Sequence, residues 1–514
     1  MFSLILLSFT LLISSLIFIL IKWAEERNKF WSKRNINFLK PKLFIGNLYE
    51  VLWGRKNMSE AHQAVYNAFP LDDVVGFYDF VFPRLIIRNP ELVEKVLKND
   101  FSHFVDRAAP AKHVKDPLSL NLFSMCGNQW RLYRQKLSPG FTTGKLKNMF
   151  DPLSVCGKNM LSLMESHVGK EADMKEIMEL FSMDVIGSCA FGIDPGVTQN
   201  PNSSFRTMGQ KIFEFSAVQQ FRFAVLSLLP NLASKLNFSF FKPEVVKYYC
   251  DIILNTLEFR KKHEIERNDF IQMMLQLRSK GKIDSQPSDL AEDDLKTNKS
   301  VEEEDKDFQI TDELLIGTAF GFLSAGFHTT SSALTYALYE LSKNPEALEK
   351  TRREIKEQVA VHGNINYDSL KCMTYLEKVL KETLRLHPGA PSTFRVCTKE
   401  YKFPNGLTLL PGDSIIIPIY ALQRDPNNFP DPLSFNPDRF DEPPAPGTYL
   451  PFGDGPRICI GLRFAMMEMK FALSTLLLNY NIQLSKSTET PVKMSPRGFL
   501  NIPLNEVKFK ITKI

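Results

Sequence analysis

The sequence has few cysteines and none of the paired spacings that cysteine-based sites need. Its seven cysteines are scattered, at Cys126, Cys156, Cys189, Cys250, Cys372, Cys397 and Cys459. The absence of a C-x-x-C pair speaks against a zinc ribbon or a thioredoxin-type site. An odd and scattered set is also unlike the disulfide framework of a secreted domain. A flavin or nicotinamide motif is likewise missing, so any electrons that the protein uses must come from a partner.

Strong net charge and long repeats are absent as well. The chain carries 63 Lys and Arg against 58 Asp and Glu, and a net charge of +5 is too small to indicate nucleic-acid binding. With 44% hydrophobic and 24% charged residues over 514 positions, it reads as globular rather than disordered or multi-span. Tryptophan is scarce, at 4 against 41 phenylalanines, which fits a large aromatic core or an apolar cavity.

The N-terminal segment differs from the rest. Residues 1–21 contain no charged side chain and would form a helix of about 32 Å at ~1.5 Å per residue, enough to cross a ~30 Å hydrocarbon layer. The basic residues that follow are Lys22, Arg27, Lys29, Lys33 and Arg34. Because positive charge stays on the cytoplasmic side of a membrane, they predict that the body of the protein faces the cytosol. A cleaved signal peptide is the alternative. However, no positively charged stretch precedes the apolar run, and no small-x-small cleavage site follows it.

Three regions follow from this division: a transmembrane anchor over residues 1–21, a basic linker over 22–45 and one large domain over 46–514. A cytosolic domain predicts that the N-x-S/T sequons at Asn57, Asn202, Asn237 and Asn298 carry no glycan. Helical patterns dominate the domain, including one helix from Thr311 to Asn344, about 50 Å long at ~1.5 Å per residue.

Short β segments are predicted near Leu85–Arg88 and over residues 394–419, where Pro404-Asn405-Gly406 has hairpin chemistry. Residues 284–307 hold ten acidic and three basic side chains and predict a solvated loop. Residues 226–249 are rich in Leu and Phe with interspersed lysines. They fit a core helix and a segment dipping into a bilayer surface equally well.

The strongest chemical signal surrounds Cys459, in the run P-F-G-D-G-P-R-I-C-I-G over residues 451–461. Its glycines and proline predict a tight turn that approaches a flat partner closely. A helical pattern starts at Leu462, so Cys459 precedes a helix N-terminus, which together with Arg457 favours a thiolate. A lone thiolate is a suitable axial ligand for haem iron. A phosphate loop is the other glycine-rich interpretation, but neither its Lys-Ser/Thr nor a third glycine is present.

At this point the sequence resembles the cytochrome P-450 family, whose haem signature is F-x-x-G-x-R-x-C-x-G. The fixed positions are matched by Phe452, Gly455, Arg457, Cys459 and Gly461. The resemblance implies a mainly α fold with small β-sheets, a single catalytic domain behind the anchor, and haem b with Cys459 as its axial thiolate. The run from 116 to 145 is similar to the microsomal xenobiotic-metabolising branch, especially its arthropod members.

Other family motifs occur in order. Glu382 and Arg385 match E-x-x-R, and with Arg439 they would form a structural triad behind the haem. The motif W-x-x-x-R is matched by Trp130 and Arg134, and further propionate-binding positions by Arg395, Arg457 and, more weakly, Arg107. A bidentate Arg-to-carboxylate contact explains the choice of arginine.

The run Ala325-Gly326-Phe327-His328-Thr329-Thr330 is similar to the family's oxygen-binding motif, in which Thr329 would hold a proton-donating water. His328 departs from the pattern, because the family usually has Asp or Glu there. Imidazole also relays protons near neutral pH, so we hypothesise that His328 alters coupling efficiency or its pH profile. Gln423 stands where His is common, and the proline-rich hinge is reduced to Pro41, which suggests a less rigid linker.

The resemblance implies an NADPH- and reductase-dependent monooxygenase that inserts one oxygen atom of O2 into lipophilic small molecules, either xenobiotics or endogenous lipids and hormones. The implied partners are the reductase of the endoplasmic reticulum membrane and, as a second donor, cytochrome b5. Lys136, Lys145 and Lys147 are candidates for a basic docking face. The cavity candidates by family position are Phe320, Phe322, Ala325, Ser392, Thr393 and Phe499.

Three other functions remain open from the sequence. The nearest is a reductase-independent haem-thiolate enzyme that isomerises substrates or rearranges peroxides, although the retained Thr329 argues against it. A haem-binding sensor would not need that threonine or a membrane anchor. A membrane structural protein without haem is the third.

Overall fold

The computed structural model describes residues 2–107, 116–212, 241–283 and 308–514. The predicted acidic loop at 284–307, the first part of the segment 226–249, and the sequons at Asn237 and Asn298 lie outside these residues. At the first sequon the Asn57 side chain is buried and caps a helix by accepting the Glu60 N–H at 2.9 Å, so this side chain is already engaged.

Helices make up most of the described chain. In the N-terminal half they are α1 (Phe2–Arg27), α2 (Tyr49–Leu52), α3 (Met58–Ala68), α4 (Pro90–Glu94), α5 (Gly127–Leu137), α6 (Thr143–Asn148), α7 (Phe150–Glu165), α8 (Met174–Ile186) and α9 (Ser204–Ile212). In the C-terminal half they are α10 (Pro243–His263), α11 (Phe270–Lys280), α12 (Asp312–Lys343), α13 (Pro345–His362), α14 (Tyr367–Cys372), α15 (Thr374–Leu386), α16 (Ile419–Leu422) and α17 (Leu462–Asn479). The predicted mainly α architecture is confirmed.

The strands form three small sheets. They are β1 (Val74–Asp79), β2 (Phe82–Ile87), β3 (Glu171–Asp173), β4 (Thr393–Val396), β5 (Tyr401–Lys402), β6 (Thr408–Leu409), β7 (Ser414–Ile417), β8 (Tyr480–Leu484) and β9 (Lys508–Lys513). The largest sheet has the order β1-β2-β7-β4, with β2 and β7 parallel and the other neighbours antiparallel. A second sheet has the order β3-β9-β8, and β5 pairs with β6 across the predicted hairpin.

The long helix α12 runs through the larger of two hydrophobic cores. It begins after Thr311, whose side chain accepts the Leu314 N–H at 3.2 Å, and it ends at Lys343, before Asn344 and Pro345. Both ends agree with the predicted span, because the capping threonine and the proline act locally. Helices α8, α15 and α17 pack around α12, and the second core lies under the four-stranded sheet.

The N-terminal helix α1 is exposed along its apolar length. Among the described residues it provides the one helix long and apolar enough to cross a membrane. It continues to Arg27, six residues beyond the predicted anchor boundary at 21. An apolar helix of this kind fits the anchor of a microsomal protein.

The linker that follows α1 is packed rather than loose. Trp31 is buried, and its Nε1–H donates to the Phe77 carbonyl of β1 at 3.2 Å. Arg34 forms a half-buried ion pair with Asp413 at 2.7 Å. Trp31 and Arg34 thus attach the linker to the domain, and the less rigid hinge stays a prediction.

Candidate haem site

The loop before Cys459 has the tight geometry that its glycines predict. Gly453 and Gly455 have φ values of +74° and +67°, a region that favours glycine. The Cys459 N–H donates to the Phe452 carbonyl at 2.9 Å, which closes the loop. Helix α17 begins three residues later, at Leu462, so the predicted position of Cys459 just before a helix is confirmed. Phe452 thus holds the cysteine through its backbone while its ring packs on the larger core.

The electrostatics of Cys459 are less favourable to a thiolate than the sequence indicates. The cysteine borders open space, yet loss of hydration among the surrounding atoms raises the pKa of its thiol. A hydrogen bond from the Gly461 backbone and the charges of Arg134 and Arg107 lower this pKa, but burial outweighs them. A bound metal ion acts in the opposite direction, because coordination favours the thiolate.

Arg457 is fixed by contacts on its whole guanidinium. Its Nε–H donates to the Val105 carbonyl at 2.7 Å and its Nη2–H to the Met125 carbonyl at 2.6 Å. The group also lies 4.1 Å from the centroid of the Trp130 ring, a cation–π distance. Trp130 thus orients Arg457, a contact that the W-x-x-x-R spacing does not reveal.

Arg107 and Arg395 belong to the same cluster. The Nη2–H of Arg107 donates to the Arg457 carbonyl at 3.1 Å. The pKa of Arg107 is lowered to about 10, and burial is the largest cause. The Cys459 sulfur raises this pKa, and the charge of Arg134 lowers it. Arg395 is completely buried at its place in β4, and burial first, then Arg107 and Arg457, hold its pKa well below the usual range.

This cluster has the properties of an anion site. Among the described residues, the buried Nε atoms of Arg107 and Arg395 have no hydrogen-bond partner. Positively charged groups that lower each other's pKa are stabilised by an anion bound between them. Two carboxylates of one bound group would satisfy these donors, and haem carries two propionates.

The predicted triad is confirmed as a buried network. The Arg385 guanidinium grips Glu382 with two bonds, Nε to Oε2 at 2.7 Å and Nη2 to Oε1 at 2.9 Å, and both side chains are 0% exposed. Arg439 adds a third contact to Glu382 Oε1 at 3.2 Å. Arg385 Nη1–H also donates to the Gln423 carbonyl at 2.8 Å, so the network fixes helix α15 to the segment that leads toward the cysteine loop.

The hydrogen bonds of Gln423 account for a glutamine at a position where the family commonly has histidine. Its Nε2 donates to the carbonyls of Leu384 and Arg385 at 3.0 and 2.9 Å, while its Oε1 accepts the Leu450 N–H at 2.8 Å. A carboxamide has two donors and an acceptor at the same end. One side chain therefore joins the end of α15 to the residue just before the cysteine loop.

Thr329 and His328 are consecutive residues of α12, so their side chains point ~100° apart around the helix. The Thr329 hydroxyl donates to the Ala325 carbonyl at 2.5 Å, and Ala325 is itself exposed. His328 is buried against α8, with Nδ1 3.8 Å from Oε1 of Glu179. Burial lowers the pKa of His328 to about 3. The imidazole is thus neutral at pH 7, and its effect on coupling stays a prediction.

The cavity candidates divide into two groups. Phe320 and Phe322 are engaged in aromatic packing, Phe320 against Tyr249 at 5.3 Å and Phe322 against Phe270 at 4.7 Å between ring centroids. The others have different environments: Ala325 is exposed on α12, and Ser392 bonds His62 Nδ1 at 2.8 Å in the segment that leads into β4. Thr393 accepts a bond from Arg395 at 3.1 Å, and Phe499 is 37% exposed.

Comparison with known proteins places these features in a family. The model of the family described as Cytochrome P450 matches residues 37–509. The chain belongs to the cytochrome P450 family. It is therefore a monooxygenase whose haem is bound through a cysteine thiolate, and the recognition made from the Cys459 motif is confirmed.

Insect proteins are among its relatives. "Probable cytochrome P450 6a13" of Drosophila melanogaster is 35% identical over 512 residues, which cover 97% of this chain and 97% of the relative. "Cytochrome P450 6k1" of Blattella germanica is 34% identical, covering 94% and 93% of the two chains. "Cytochrome P450 9e2" of Blattella germanica is 35% identical, covering 96% and 94%. These matches agree with the arthropod resemblance.

The described residues fit the haem that the family binds. A cysteine at the edge of open space, a cluster of arginines with unused donors and a threonine on the exposed side of α12 supply a metal ligand, an anion site and a polar group. Sequence reasoning did not find Glu179. It lies 149 positions before His328 and belongs to no motif, so only the packing of α8 on α12 reveals it.

Proposed function

We propose that this P450 is an NADPH- and reductase-dependent monooxygenase of lipophilic small molecules, either xenobiotics or endogenous lipids and hormones, at the endoplasmic reticulum membrane. The observation that carries the proposal is the convergence of Cys459 with the arginine cluster of Arg107, Arg134, Arg395 and Arg457, whose charges act on one another. This combination matches the two chemical demands of haem, a soft axial ligand and an anion site.

Each residue has a role in this proposal. Cys459 would ligate the haem iron, and Phe452 holds its backbone. The arginines Arg107, Arg134, Arg395 and Arg457 would bind the propionates, and Trp130 packs against Arg457. Bound haem supplies the activation of O2, from which one oxygen atom enters the substrate and the other leaves as water.

Thr329 would handle protons on the substrate side of α12. Its hydroxyl hydrogen is committed to the Ala325 carbonyl, so its oxygen can accept a hydrogen bond from a water or from a substrate group in the site.

Electrons come from an acidic flavoprotein in this proposal, with cytochrome b5 as a second donor. The candidate lysines lie on neighbouring elements, Lys136 near the end of α5 and Lys145 and Lys147 on α6. Lys147 is engaged with Asp368 at 3.0 Å, an exposed pair of small energetic weight. Helix α1 would hold the domain beside a membrane-bound reductase.

Reconstitution tests this function directly. The full chain, loaded with haem, is placed in phospholipid vesicles with NADPH-cytochrome P450 reductase and a panel of lipophilic probes. We expect oxidised product that depends on NADPH, reductase and O2 together. Conversion of organic hydroperoxides without NADPH consumption, and no NADPH-dependent product, would instead identify a peroxide-rearranging enzyme.

Charge reversal examines the docking face in the same system. Lys136→Glu with Lys145→Glu should raise the KM for reductase about fivefold, because each of these part-exposed lysines would lose a charge contact of ~0.5 kcal/mol. Haem content should stay unchanged. Lys510→Glu, an exposed lysine on β9, is the matched control and should leave this KM as it is. An unchanged KM in the double variant would exclude this face as the docking site.

A further inference from the structure

Residues 117–125 cross the long helix α12 with backbone against backbone. An added Cβ at Gly317 would lie 2.1 Å from the Leu120 carbonyl oxygen. One turn later, an added Cβ at Gly321 would lie 2.9 Å from the Cβ of Asn121. Residues four apart share one face of a helix. The two glycines therefore form a shallow groove in α12, and the segment 117–125, here termed the strap, is seated in it.

The strap is braced from within by Asn121. Its Oδ1 accepts the Phe123 N–H at 3.0 Å, and its Nδ2 donates to the Leu118 carbonyl at 3.1 Å. The Asn121 carbonyl accepts the Met125 N–H at 3.0 Å. Leu118 is completely buried in the larger core. Because one residue ties both halves of the strap together, a shift of the part seated on α12 also moves the part that follows it.

The far end of the strap holds Arg457. The Nη1–H of this arginine donates to the Leu122 carbonyl at 3.2 Å, and its Nη2–H donates to the Met125 carbonyl at 2.6 Å. A guanidinium has five N–H donors in one plane, so two bonds to the strap fix the directions of the others. The strap thus connects the groove in α12 with an arginine of the candidate haem site.

We propose that Gly317 and Gly321 are positioning residues for haem retention: they seat the strap, and the strap orients the Arg457 guanidinium for a haem propionate. The inference rests on the proposed role of Arg457 as a propionate ligand. A larger side chain at either glycine would lift the strap and turn the guanidinium. Gly317 has the stronger effect, because its neighbour is a backbone carbonyl at 2.1 Å rather than a side-chain atom at 2.9 Å.

The rate of haem release is the first measurement. The full chain is loaded with haem, and transfer of the haem to excess apomyoglobin is followed by absorbance. We expect Gly317→Ala to release haem about tenfold faster than wild type and Gly321→Ala about threefold faster, because a hydrogen bond to a charged group is weakened. Alanine favours a helix over glycine, so a role confined to α12 predicts no acceleration.

Gly209→Ala on α9 is the matched control for this measurement. Gly209 is also a buried helical glycine, and an added Cβ there would lie 2.5 Å from the methyl end of the Met183 side chain. This contact involves neither the strap nor an arginine of the haem site. Haem release by Gly209→Ala should therefore proceed at the wild-type rate.

Hydrogen exchange of the strap is the second measurement. In the haem-loaded full chain, the amides of residues 117–125 should exchange about tenfold faster in Gly317→Ala than in wild type, because the bonds of Asn121 open more often. Gly209→Ala should keep the wild-type exchange in the strap. The reduced, carbon monoxide-bound Gly317→Ala protein should keep the thiolate-type Soret band, because the loop of Cys459 is unchanged.

A double-mutant cycle tests whether Gly317 acts through Arg457. Arg457→Lys keeps the charge, but a single ammonium cannot replace the planar fork that bonds two carbonyls and an anion together. Haem release should therefore accelerate in Arg457→Lys, and adding Gly317→Ala should change the rate by less than about twofold. Accelerations that multiply in the double variant would show that Gly317 acts elsewhere, and they would overturn the inference.

The remaining outcomes separate this inference from the proposed function. A loaded chain without NADPH-dependent product contradicts only the proposed function, since haem release is still measured. A wild-type rate in Arg457→Lys contradicts the role of Arg457 and the inference with it, and an unchanged rate in Gly317→Ala also overturns the inference. If Gly317→Ala does not fold, Gly321→Ala and Asn121→Ala, which loosens the strap from its own side, decide the question: wild-type haem release in both refutes it.

Discussion

Glu382→Gln is expected to lower the free energy of unfolding by about 3–5 kcal/mol and to prevent stable haem retention. The reason is that Arg385, completely buried, would keep its charge but lose the carboxylate that grips it with two bonds. Breaking one partner of a buried pair costs ~3–5 kcal/mol, a large share of the ~5–15 kcal/mol that stabilises a typical domain. Arg439 would lose its contact with Glu382 at the same time. Denaturant unfolding and the haem-to-protein ratio measure the two effects.

A neighbouring ion pair on the same helix provides the control. Lys381 and Glu377 lie 2.9 Å apart, and their side chains are 39% and 38% exposed. Lys381→Gln should therefore cost only about 0.3–0.5 kcal/mol, as exposed i,i+4 pairs do. A Glu382→Gln variant that matches Lys381→Gln in stability and haem content would show that the triad is dispensable.

Gly455→Ala is expected to abolish the thiolate-type haem spectrum while the rest of the chain still folds. Gly455 has a φ of +67°, and a Cβ at this position would lie 1.9 Å from the Leu97 carbonyl oxygen. The left-handed conformation costs ~1–2 kcal/mol and the overlap with backbone a further ~1–3 kcal/mol. Since the loop is closed by the Cys459–Phe452 hydrogen bond, this strain displaces the cysteine.

Gly453→Ala separates the two contributions. Gly453 has a similar φ of +74°, but a Cβ there meets nothing within 4 Å. Its cost should be limited to the conformational ~1–2 kcal/mol, with the spectrum preserved. Equal loss of the spectrum in both variants would show that position 455 requires glycine because of its backbone conformation alone, and not because the Leu97 carbonyl lies so close.

Much of the site was predictable because its signals are local. The glycines and proline before Cys459, the helix after Leu462, and Thr311 and Pro345 at the ends of α12 all act within a few residues of themselves. Glu382 and Arg385 are likewise one helical turn apart. A single sequence records such relations directly, so these predictions agree with the structure.

Contacts between distant segments could not be predicted. Trp31 donates a hydrogen bond to Phe77, 46 positions away, and Arg457 is held by carbonyls more than 300 positions earlier. The effect of burial on Cys459 and His328 could not be predicted either. Their pKa values depend first on burial, which the complete fold determines.

The central claim is that the Cys459 sulfur is the axial ligand of the haem iron. The most direct measurement is the absorbance spectrum of the reduced, carbon monoxide-bound full chain, compared between wild type, Cys459→Ser and Cys372→Ser, the last removing another exposed cysteine. We predict the red-shifted Soret band of thiolate-ligated haem in the wild type and in Cys372→Ser, and its loss in Cys459→Ser. A Cys459→Ser protein that keeps this band would contradict the account.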